Sequence, residues 1–237
     1  MVFAYTDNIS NLIIMQSLQD AARARHSVRQ YLPKPLTQEQ TDTLRQKISD
    51  VNKAGNLHIQ LITNDPKVFD SRLAHYGKFS GVENVIALVG AKQPNEDQRI
   101  GYYGAQVMLL AQQLGLNTCW VVMTYQKSEN IRIGKGEKLF GVLALGYGAT
   151  QGVPHKNKPL ETLAPQYADT PEWFKRGVDF ALLAPTASNQ QKFTLTCDGN
   201  TVTLKKGIGF YASQDEGIVR YFFELGAGTS FRWSKDL

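Results

Sequence analysis

The chain has few of the residues that build metal centres, disulfide frameworks or membrane spans. Its 237 residues include two cysteines, Cys119 and Cys197, which lie far apart and outside any CxxC pair or Cys/His cluster. The sequence therefore predicts neither a metal site nor a disulfide framework, and isolated cysteines are typical of a reducing compartment, so we expect a cytoplasmic protein. The apolar stretch NLIIMQSL at 11–18 is too short to cross a bilayer and no small-residue cleavage site follows it, so we expect no membrane association.

The chain also lacks a run of basic residues, although its formal net charge is +5. Lys and Arg are scattered and form no stripe that could follow phosphates, so we expect no nucleic-acid partner. A modest positive field would equally favour a phosphorylated small molecule. Gly134-Lys135-Gly136 does not follow a strand as part of a GxGxxG motif, which argues against a Rossmann-type dinucleotide site.

What is present, 42% hydrophobic and 20% charged residues in periodic patterns, is typical of a folded globular protein. Residues 9–24 have helical spacing, and a capping-box pattern, Thr37 with Gln40, starts an amphipathic helix that ends at Gly55. A further helix, around 105–111 and ended by Gly115, is predicted to be buried on most sides. Central strands are predicted at 58–63, 83–90 and 138–148, and another strand at 117–123.

The composition changes at residues 149–171, which contain prolines and lysines and show no clear hydrophobic period. We interpret this segment as a linker or surface arm between two lobes. We therefore expect a first lobe at 1–160 and a C-terminal lobe at 161–237 that is too small to stand alone and packs on the first. In the C-terminal lobe, a helix is predicted from Thr170-Pro171 to about Leu183, a hairpin with its turn at Asp198-Gly199, and a helix capped by Asp215 and ended by Gly226.

Cationic and hydroxyl side chains alternate in ARHSVRQY at 24–31. In an extended stretch Arg25, Ser27 and Arg29 point to one side, and guanidinium groups flanking a hydroxyl suit a phosphate. The alternative is a solvated positive edge. His26 points to the other side and is read first as a surface or packing residue, although we include it in the candidate cofactor-binding set.

An amide-rich turn, APTASNQQ at 184–191, precedes the hairpin. It can be a plain helix end followed by a Ser/Asn turn. Its small residues would also let the backbone approach a flat ligand, while the hydroxyl and amide groups offer partners for polar ring edges. FMN is a ligand of this kind, because it is flat, has polar ring edges and carries a phosphate. Lys156 and Lys158, two positions apart, are either solvated linker residues or a second phosphate contact.

Three motifs in this order resemble the FMN-dependent nitroreductase family. RHSVRQY is similar to that family's Arg-x-Ser-x-Arg/Lys-x-aromatic opening, GAQVMLLAQQLGLNTCWV to its buried helix and following strand, and LGYGATQGVPHKNKPLETL to its Leu-Gly-Tyr-Pro strand end and basic tail. The resemblance implies an α+β fold, a three-layer α/β/α arrangement with a mostly antiparallel central sheet, and FMN as cofactor.

The resemblance also implies roles for individual residues. Arg25 and Ser27 would lie near the ribityl phosphate with Lys156 and perhaps Lys158, Arg29 near the pyrimidine edge, and the backbone N–H of Met123 near flavin N5. The turn at 184–191 is similar to the family's Ala-Pro-Ser-x-x-Asn segment, which implies that the far side of the cofactor contacts Pro185, Thr186, Ala187, Ser188 and Asn189.

In the family this Pro-Ser-x-x-Asn segment follows the first helix and comes from a partner chain, whereas here it stands near the C-terminus. The resemblance therefore implies a pseudo-dimer within one chain, with one flavin per chain, as a monomer or a weak homodimer. Gln191-Lys192-Phe193 stands where the family has Gln-Pro-Trp, a segment that the resemblance would place over the face of the flavin ring.

The resemblance implies an FMN-dependent NAD(P)H oxidoreductase that uses NADH or NADPH as co-substrate and a small aromatic acceptor, a nitroaromatic or a quinone, in a ping-pong cycle. No side chain is assigned as catalytic and no metal is expected. Two alternatives stay open: a flavin-binding sensor or carrier without turnover, and a binding domain that has kept the fold and lost the cofactor.

Overall fold

The structure, a computed structural model, describes residues 16–237 apart from the side chains of Leu73 and His75. Helices and the strands of the main sheet are interspersed in the first part of the chain, and the C-terminal part adds further helices and a second small sheet. The helices are α1 (Leu18–Ala24), α2 (Gln38–Gly55), α3 (Arg72–Tyr76), α4 (Glu96–Gln113), α5 (Leu160–Leu163), α6 (Glu172–Ala181) and α7 (Ala212–Ala227). The strands are β1 (Gln60–Ile62), β2 (Asn84–Ala91), β3 (Asn117–Val121), β4 (Glu137–Gly146), β5 (Phe193–Asp198), β6 (Thr201–Lys206) and β7 (Arg232–Trp233).

The main sheet has the order β1-β2-β4-β3 and is antiparallel throughout. Most residues of β2 and β4 are buried, which confirms these two as central strands. The prediction that 58–63 forms a central strand is wrong, because β1 is a short, half-buried edge strand. The Gln60 side-chain amide ties this strand to the loop before β4, since it donates to the Arg132 carbonyl at 2.7 Å and accepts from the Arg132 backbone N–H at 3.0 Å.

The predicted start of α2 is confirmed at the level of single hydrogen bonds. Thr37 Oγ1 accepts from the Gln40 backbone N–H at 3.1 Å, and Gln40 Oε1 accepts from the Thr37 N–H at 2.9 Å. The helix ends at Gly55, where Asn56 takes a left-handed conformation with φ 48°. The helix predicted for residues 9–24 is seen as α1, capped by Ser17, and its part at 9–15 lies outside the described residues.

Helices α4 and α7 cross at glycines, which lets their backbones approach closely. A Cβ atom on Gly101 would overlap the carbonyl of Gln214, and one on Gly217 would overlap the carbonyl of Gln98. One hydrophobic core runs from α4 into α6 and α7 and includes the fully buried rings of Phe174, Phe222 and Phe223. The C-terminal part therefore packs on the first part as expected, while a division of the chain at residue 160 stays a prediction.

Two helix starts in the C-terminal part differ from the prediction. Pro171 occupies the N-cap position of α6, because the Thr170 hydroxyl donates to the Tyr167 carbonyl at 2.8 Å and does not cap the helix. Tyr211 occupies the N-cap position of α7, with φ 57°, so Asp215 is not a cap and lies buried in the first turn.

The predicted hairpin is confirmed as β5 and β6, with a different turn. Asp198 pairs with Thr201, so the turn residues are Gly199 and Asn200, and Gly199 supplies the positive φ of 54°. Strand β7, which no pattern predicted, adds a parallel partner to β6. Residues 151–159 form no helix or strand, in line with the linker interpretation, and α5 then brings Leu163 into the core. Between residues 16 and 237, no helix has the length and apolar character needed to cross a membrane.

Candidate functional site

A cavity of about 460 Å³, called the inner cavity below, lies between the extended segment after α1 and the turn after α6. Ser27 and Arg29 line one wall, and 185–189 line the opposite wall. The structure thus brings together the two segments that the sequence singled out. β3 and the start of α7 supply most of the remaining lining: Cys119, Trp120, Tyr211, Gln214, Asp215 and Ile218.

The first wall is held in place by β3. Ser27 forms a parallel bridge with Thr118, and the Val28 N–H donates to the Thr118 carbonyl at 3.1 Å. Val28 is buried in the core, so its neighbours Ser27 and Arg29 face the cavity, as expected from the alternation of side chains in an extended segment.

Arg25, two residues before Ser27, is a buried cation that does not itself line the inner cavity, and within residues 16–237 it forms no ion pair. It is 3% exposed, and its Nε and Nη1 atoms have no hydrogen-bond partner within residues 16–237. Burial lowers the pKa of Arg25 to about 10, although Cys119 and Tyr31 act in the opposite direction. Unpartnered N–H groups on a buried charge are costly, so they mark a place that an anion would stabilise.

His26 follows Arg25 in the chain and lies near His155. Burial, followed by the positive charges of Arg25 and His155, lowers the pKa of His26, so His26 is neutral at neutral pH. His26 does not line the inner cavity, whereas His155 does, and the Nε2 atom of His155 lies 2.8 Å from the Leu182 carbonyl. That contact requires a proton on Nε2, because a carbonyl oxygen only accepts hydrogen bonds.

The second wall is anchored by Asp215. Its carboxylate accepts from the Ala187 backbone N–H at 2.9 Å and from the Gln190 side chain at 2.8 Å, and the same Gln190 amide donates to the Phe210 carbonyl at 2.6 Å. Ser188 and Asn189 have positive φ angles of 48° and 53°. The carboxylate therefore fixes a turn whose backbone conformation few side chains adopt freely.

Asp215 itself is 6% exposed, and burial raises its pKa to about 6 even though both hydrogen bonds act to lower it. Sequence reasoning missed this residue because an acidic residue at a helix start is typical of a cap. A signal was present: Asp215, Ile218 and Phe222 share helical spacing, which places the carboxylate on the apolar face of α7.

Gln191 is a clamp and not part of the cavity wall. Its buried amide nitrogen shares two protons among three nearby acceptors, the Lys156 carbonyl and the side-chain oxygens of Asn157 and Asn189, and its amide oxygen accepts from the Lys158 N–H at 2.7 Å. Gln191 therefore does not cover the inner cavity.

Neither Lys156 nor Lys158 lines the inner cavity. Lys156 contributes its carbonyl, which also accepts from the Asn189 Nδ2 at 2.7 Å, and Lys158 Nζ lies 3.3 Å from the Gln191 carbonyl. These residues thus lie beside the amide-rich turn, which they contact mostly through backbone groups, and their contact with a phosphate stays a prediction.

A second cavity of about 590 Å³, called the outer cavity below, adjoins the first. The two share Arg29, Trp120 and Ser188 among their lining residues. Met123, one of the predicted contacts, lines the outer cavity and is 64% exposed.

A polar chain runs from the inner cavity into the core. Trp120 Nε1 donates to Gln214 Oε1 at 3.2 Å, and Gln214 Nε2 donates to Asp97 and to the Phe140 carbonyl, each at 3.1 Å. Sequence reasoning assigned no role to Trp120 or Gln214. Among residues 16–237, no cluster of His, Cys, Asp and Glu could hold a metal ion.

A family model described as "Putative TM nitroreductase" matches residues 17–227. A putative nitroreductase from Thermotoga maritima is similar in structure, with 19% identity, 94% of this chain and 88% of that chain covered, and a TM-score of 0.68. The hypothetical oxidoreductase YcnD from Bacillus subtilis has 14% identity, covers 62% of this chain and 72% of its own, and has a TM-score of 0.50.

A putative nitroreductase from Desulfovibrio desulfuricans in complex with FMN has 17% identity, with 62% of this chain and 95% of that chain covered, and a TM-score of 0.47. No curated protein matches the sequence. The likeness to the Thermotoga maritima structure shows a nitroreductase-like fold, and with the antiparallel main sheet and its flanking helices it confirms the predicted α+β class.

Proposed function

The chain belongs to the family described as putative TM nitroreductases, and on that premise we propose that it is an FMN-dependent NAD(P)H oxidoreductase. In this proposal NADH or NADPH is the electron donor, a nitroaromatic or quinone-like compound is the acceptor, and the two react in turn in a ping-pong cycle. The family supports an oxidoreductase, and the inner cavity supports the cofactor.

The observation that carries the proposal is the unpartnered guanidinium of Arg25, two residues before Ser27 in the wall of the inner cavity. Its Nε and Nη1 atoms are buried without partners, and Ser27 and Arg29, from the same segment, line the cavity. A phosphorylated ligand would supply the missing acceptors, since guanidinium groups bind phosphate oxygens strongly. A volume of about 460 Å³ lies within the range of cofactor pockets. The residues present therefore fit FMN.

FMN, when bound, supplies hydride transfer between the nicotinamide and the acceptor. In our proposal Arg25 and Ser27 hold the phosphate, with His26 beside them as a neutral hydrogen-bonding group. Arg29 places positive charge at the pyrimidine edge, where it favours the reduced cofactor. Lys156 and Lys158 stay predicted contacts without support from the geometry, and so does the backbone N–H of Met123.

The opposite wall, from Pro185 through Thr186, Ala187 and Ser188 to Asn189, would contact the far side of the cofactor in this proposal. Asp215 acts as a positioning residue, because it holds the Ala187 N–H and the Gln190 amide that fix this wall. Since both walls come from one chain, we propose that residues 1–160 and 161–237 together act as a pseudo-dimer with one FMN per chain. The described part of the chain is compatible with a monomer or a weak homodimer.

A sensor or carrier without turnover would be favoured if Gln191-Lys192-Phe193 closed the face of the ring. Gln191 is instead a buried clamp, and Phe193 is buried in β5, so neither lines the inner cavity. This observation favours an enzyme. We also propose a reducing, cytoplasmic setting, which is supported by the two free cysteines.

The test is the visible spectrum of the purified protein, followed by anaerobic addition of NADPH or NADH. We expect a flavin spectrum that bleaches with at least one donor and returns when a nitroaromatic or quinone is added. A flavin that neither donor reduces would point to the sensor or carrier. A colourless protein that takes up no added FMN would contradict the proposal.

A further inference from the structure

The outer cavity has the composition of a site for a flat aromatic molecule. Its lining includes the rings of Tyr76, Phe79, Trp120, Phe210 and Tyr211. Tyr76 and Phe210 are 85% and 84% exposed, so large apolar surfaces face solvent at its mouth. A planar ring placed among them would remove this surface from water and could stack on the side chains.

The charge of the outer cavity is of one sign. Arg29 and Lys78 are the charged residues of its lining, and the lining contains neither Asp nor Glu. Within residues 16–237, no carboxylate forms an ion pair with either side chain. The Arg29 guanidinium lies 5.9 Å from the centre of the Phe79 ring, so one of the cations is next to an aromatic wall.

The two cavities meet at Arg29, Trp120 and Ser188, so a molecule in the outer cavity would lie next to a cofactor in the inner one. We propose that the outer cavity binds the electron acceptor, and that this acceptor is an aromatic compound with an anionic substituent such as a carboxylate. Lys78 binds the anionic group, and Phe210 packs against the ring. This inference rests on the proposed function, and it adds the charge of the acceptor.

The test compares para-nitrobenzoate with para-nitrobenzamide, which differ chiefly in the negative charge. Binding of each to the oxidised, FMN-loaded protein is measured by calorimetry without a reductant, and kcat/KM is then measured with a saturating donor. For the unchanged chain we expect the benzoate to bind about three to ten times more tightly than the benzamide, and we expect high salt to reduce this preference.

Two variants separate the roles of charge and stacking. Lys78→Gln should lower the preference for the benzoate over the benzamide to less than about twofold. Phe210→Ala should weaken the binding of both compounds by a similar factor, about threefold or more, and leave the preference for the benzoate unchanged. Lys53→Gln, in the last turn of α2 and outside both cavities, is the matched control and should keep the behaviour of the unchanged chain.

This inference would be overturned if the unchanged chain bound the two compounds equally, or if Lys53→Gln lost as much of the preference for the benzoate as Lys78→Gln. Either result would leave the proposed function intact. If the exposed rings cover a second copy of this chain instead, Phe210→Ala would change the sedimentation of the protein and leave nitrobenzoate binding unchanged, which also overturns it. A protein that takes up no FMN would overturn the proposed function and this inference together.

Discussion

Replacing Arg25 with Met should make the FMN-free protein more stable and its binding of FMN weaker. Burial lowers the pKa of the Arg25 guanidinium to about 10, well below its ordinary value. The unfolded chain therefore binds this proton more tightly than the folded one. At neutral pH the charged group costs the fold about 3 kcal/mol, from about 2.5 pKa units at about 1.36 kcal/mol each. This cost is fully present below about pH 10 and disappears as the pH rises toward the ordinary pKa of arginine.

Methionine fills a similar volume without a charge, so Arg25→Met should raise the free energy of unfolding of the FMN-free protein by up to about 3 kcal/mol. The same change removes charge-assisted hydrogen bonds to the phosphate, and each such bond contributes about 1.5–3 kcal/mol. The dissociation constant for FMN should therefore rise about 10-fold to 100-fold.

Urea denaturation of the FMN-free and FMN-loaded forms, in a buffer without phosphate, measures the first effect, and fluorescence titration with FMN measures the second. Arg45→Met is the control, because Arg45 lies on the exposed face of α2, and its free energy of unfolding should change by less than about 0.5 kcal/mol. A less stable FMN-free Arg25→Met protein, or one with unchanged FMN affinity, would refute the argument that Arg25 awaits an anion.

Three further changes test the positioning of the site and the packing beneath it. Burial raises the pKa of Asp215 from 3.8 to about 6, so the stabilising effect of its protonation is lost as the pH rises through about 6. Between about pH 4 and pH 8, the free energy of unfolding of the unchanged chain in urea should fall by about 2–3 kcal/mol relative to that of Asp215→Asn. Free energies of unfolding that change with pH in parallel in the two proteins would argue against this. Gly217→Ala brings a Cβ onto the Gln98 carbonyl of α4, so its free energy of unfolding in urea should fall by about 1–3 kcal/mol or more, and an unchanged value would mean that the helices move apart freely. Gln191→Ala removes the clamp on 156–158 and should lower the free energy of unfolding by about 1–3 kcal/mol and also weaken FMN binding; a loss of neither would show that the clamp is dispensable.

Local patterns predicted the elements whose cause is local. The capping box of Thr37 and Gln40 depends on neighbouring residues, and so does the alternation that turns Ser27 and Arg29 toward one side. The position of β1 at the edge of the sheet could not be predicted in this way, because strand order depends on contacts between distant residues. The two-residue strand β7 is too short to give a periodic signal.

The candidate site shows the same limit. The sequence identified both wall segments, but not that Gln191 turns away from the cavity to bind the backbone of 156–158. The role of Asp215 follows from its burial against Ala187 and Gln190, which are distant in sequence. The outer cavity depends on loops around Tyr76 and Phe210 that meet only in the folded chain.

The central claim is that one chain builds a complete FMN site from its own two walls. The most direct measurement is titration of the FMN-free protein with FMN while sedimentation gives the molar mass of the species that binds. Our account predicts saturation at one FMN per chain, whether the species is a monomer or a weak homodimer, and no dependence of FMN affinity on protein concentration. Saturation at half an equivalent per chain, or binding that appears only as the chain dimerises, would contradict it.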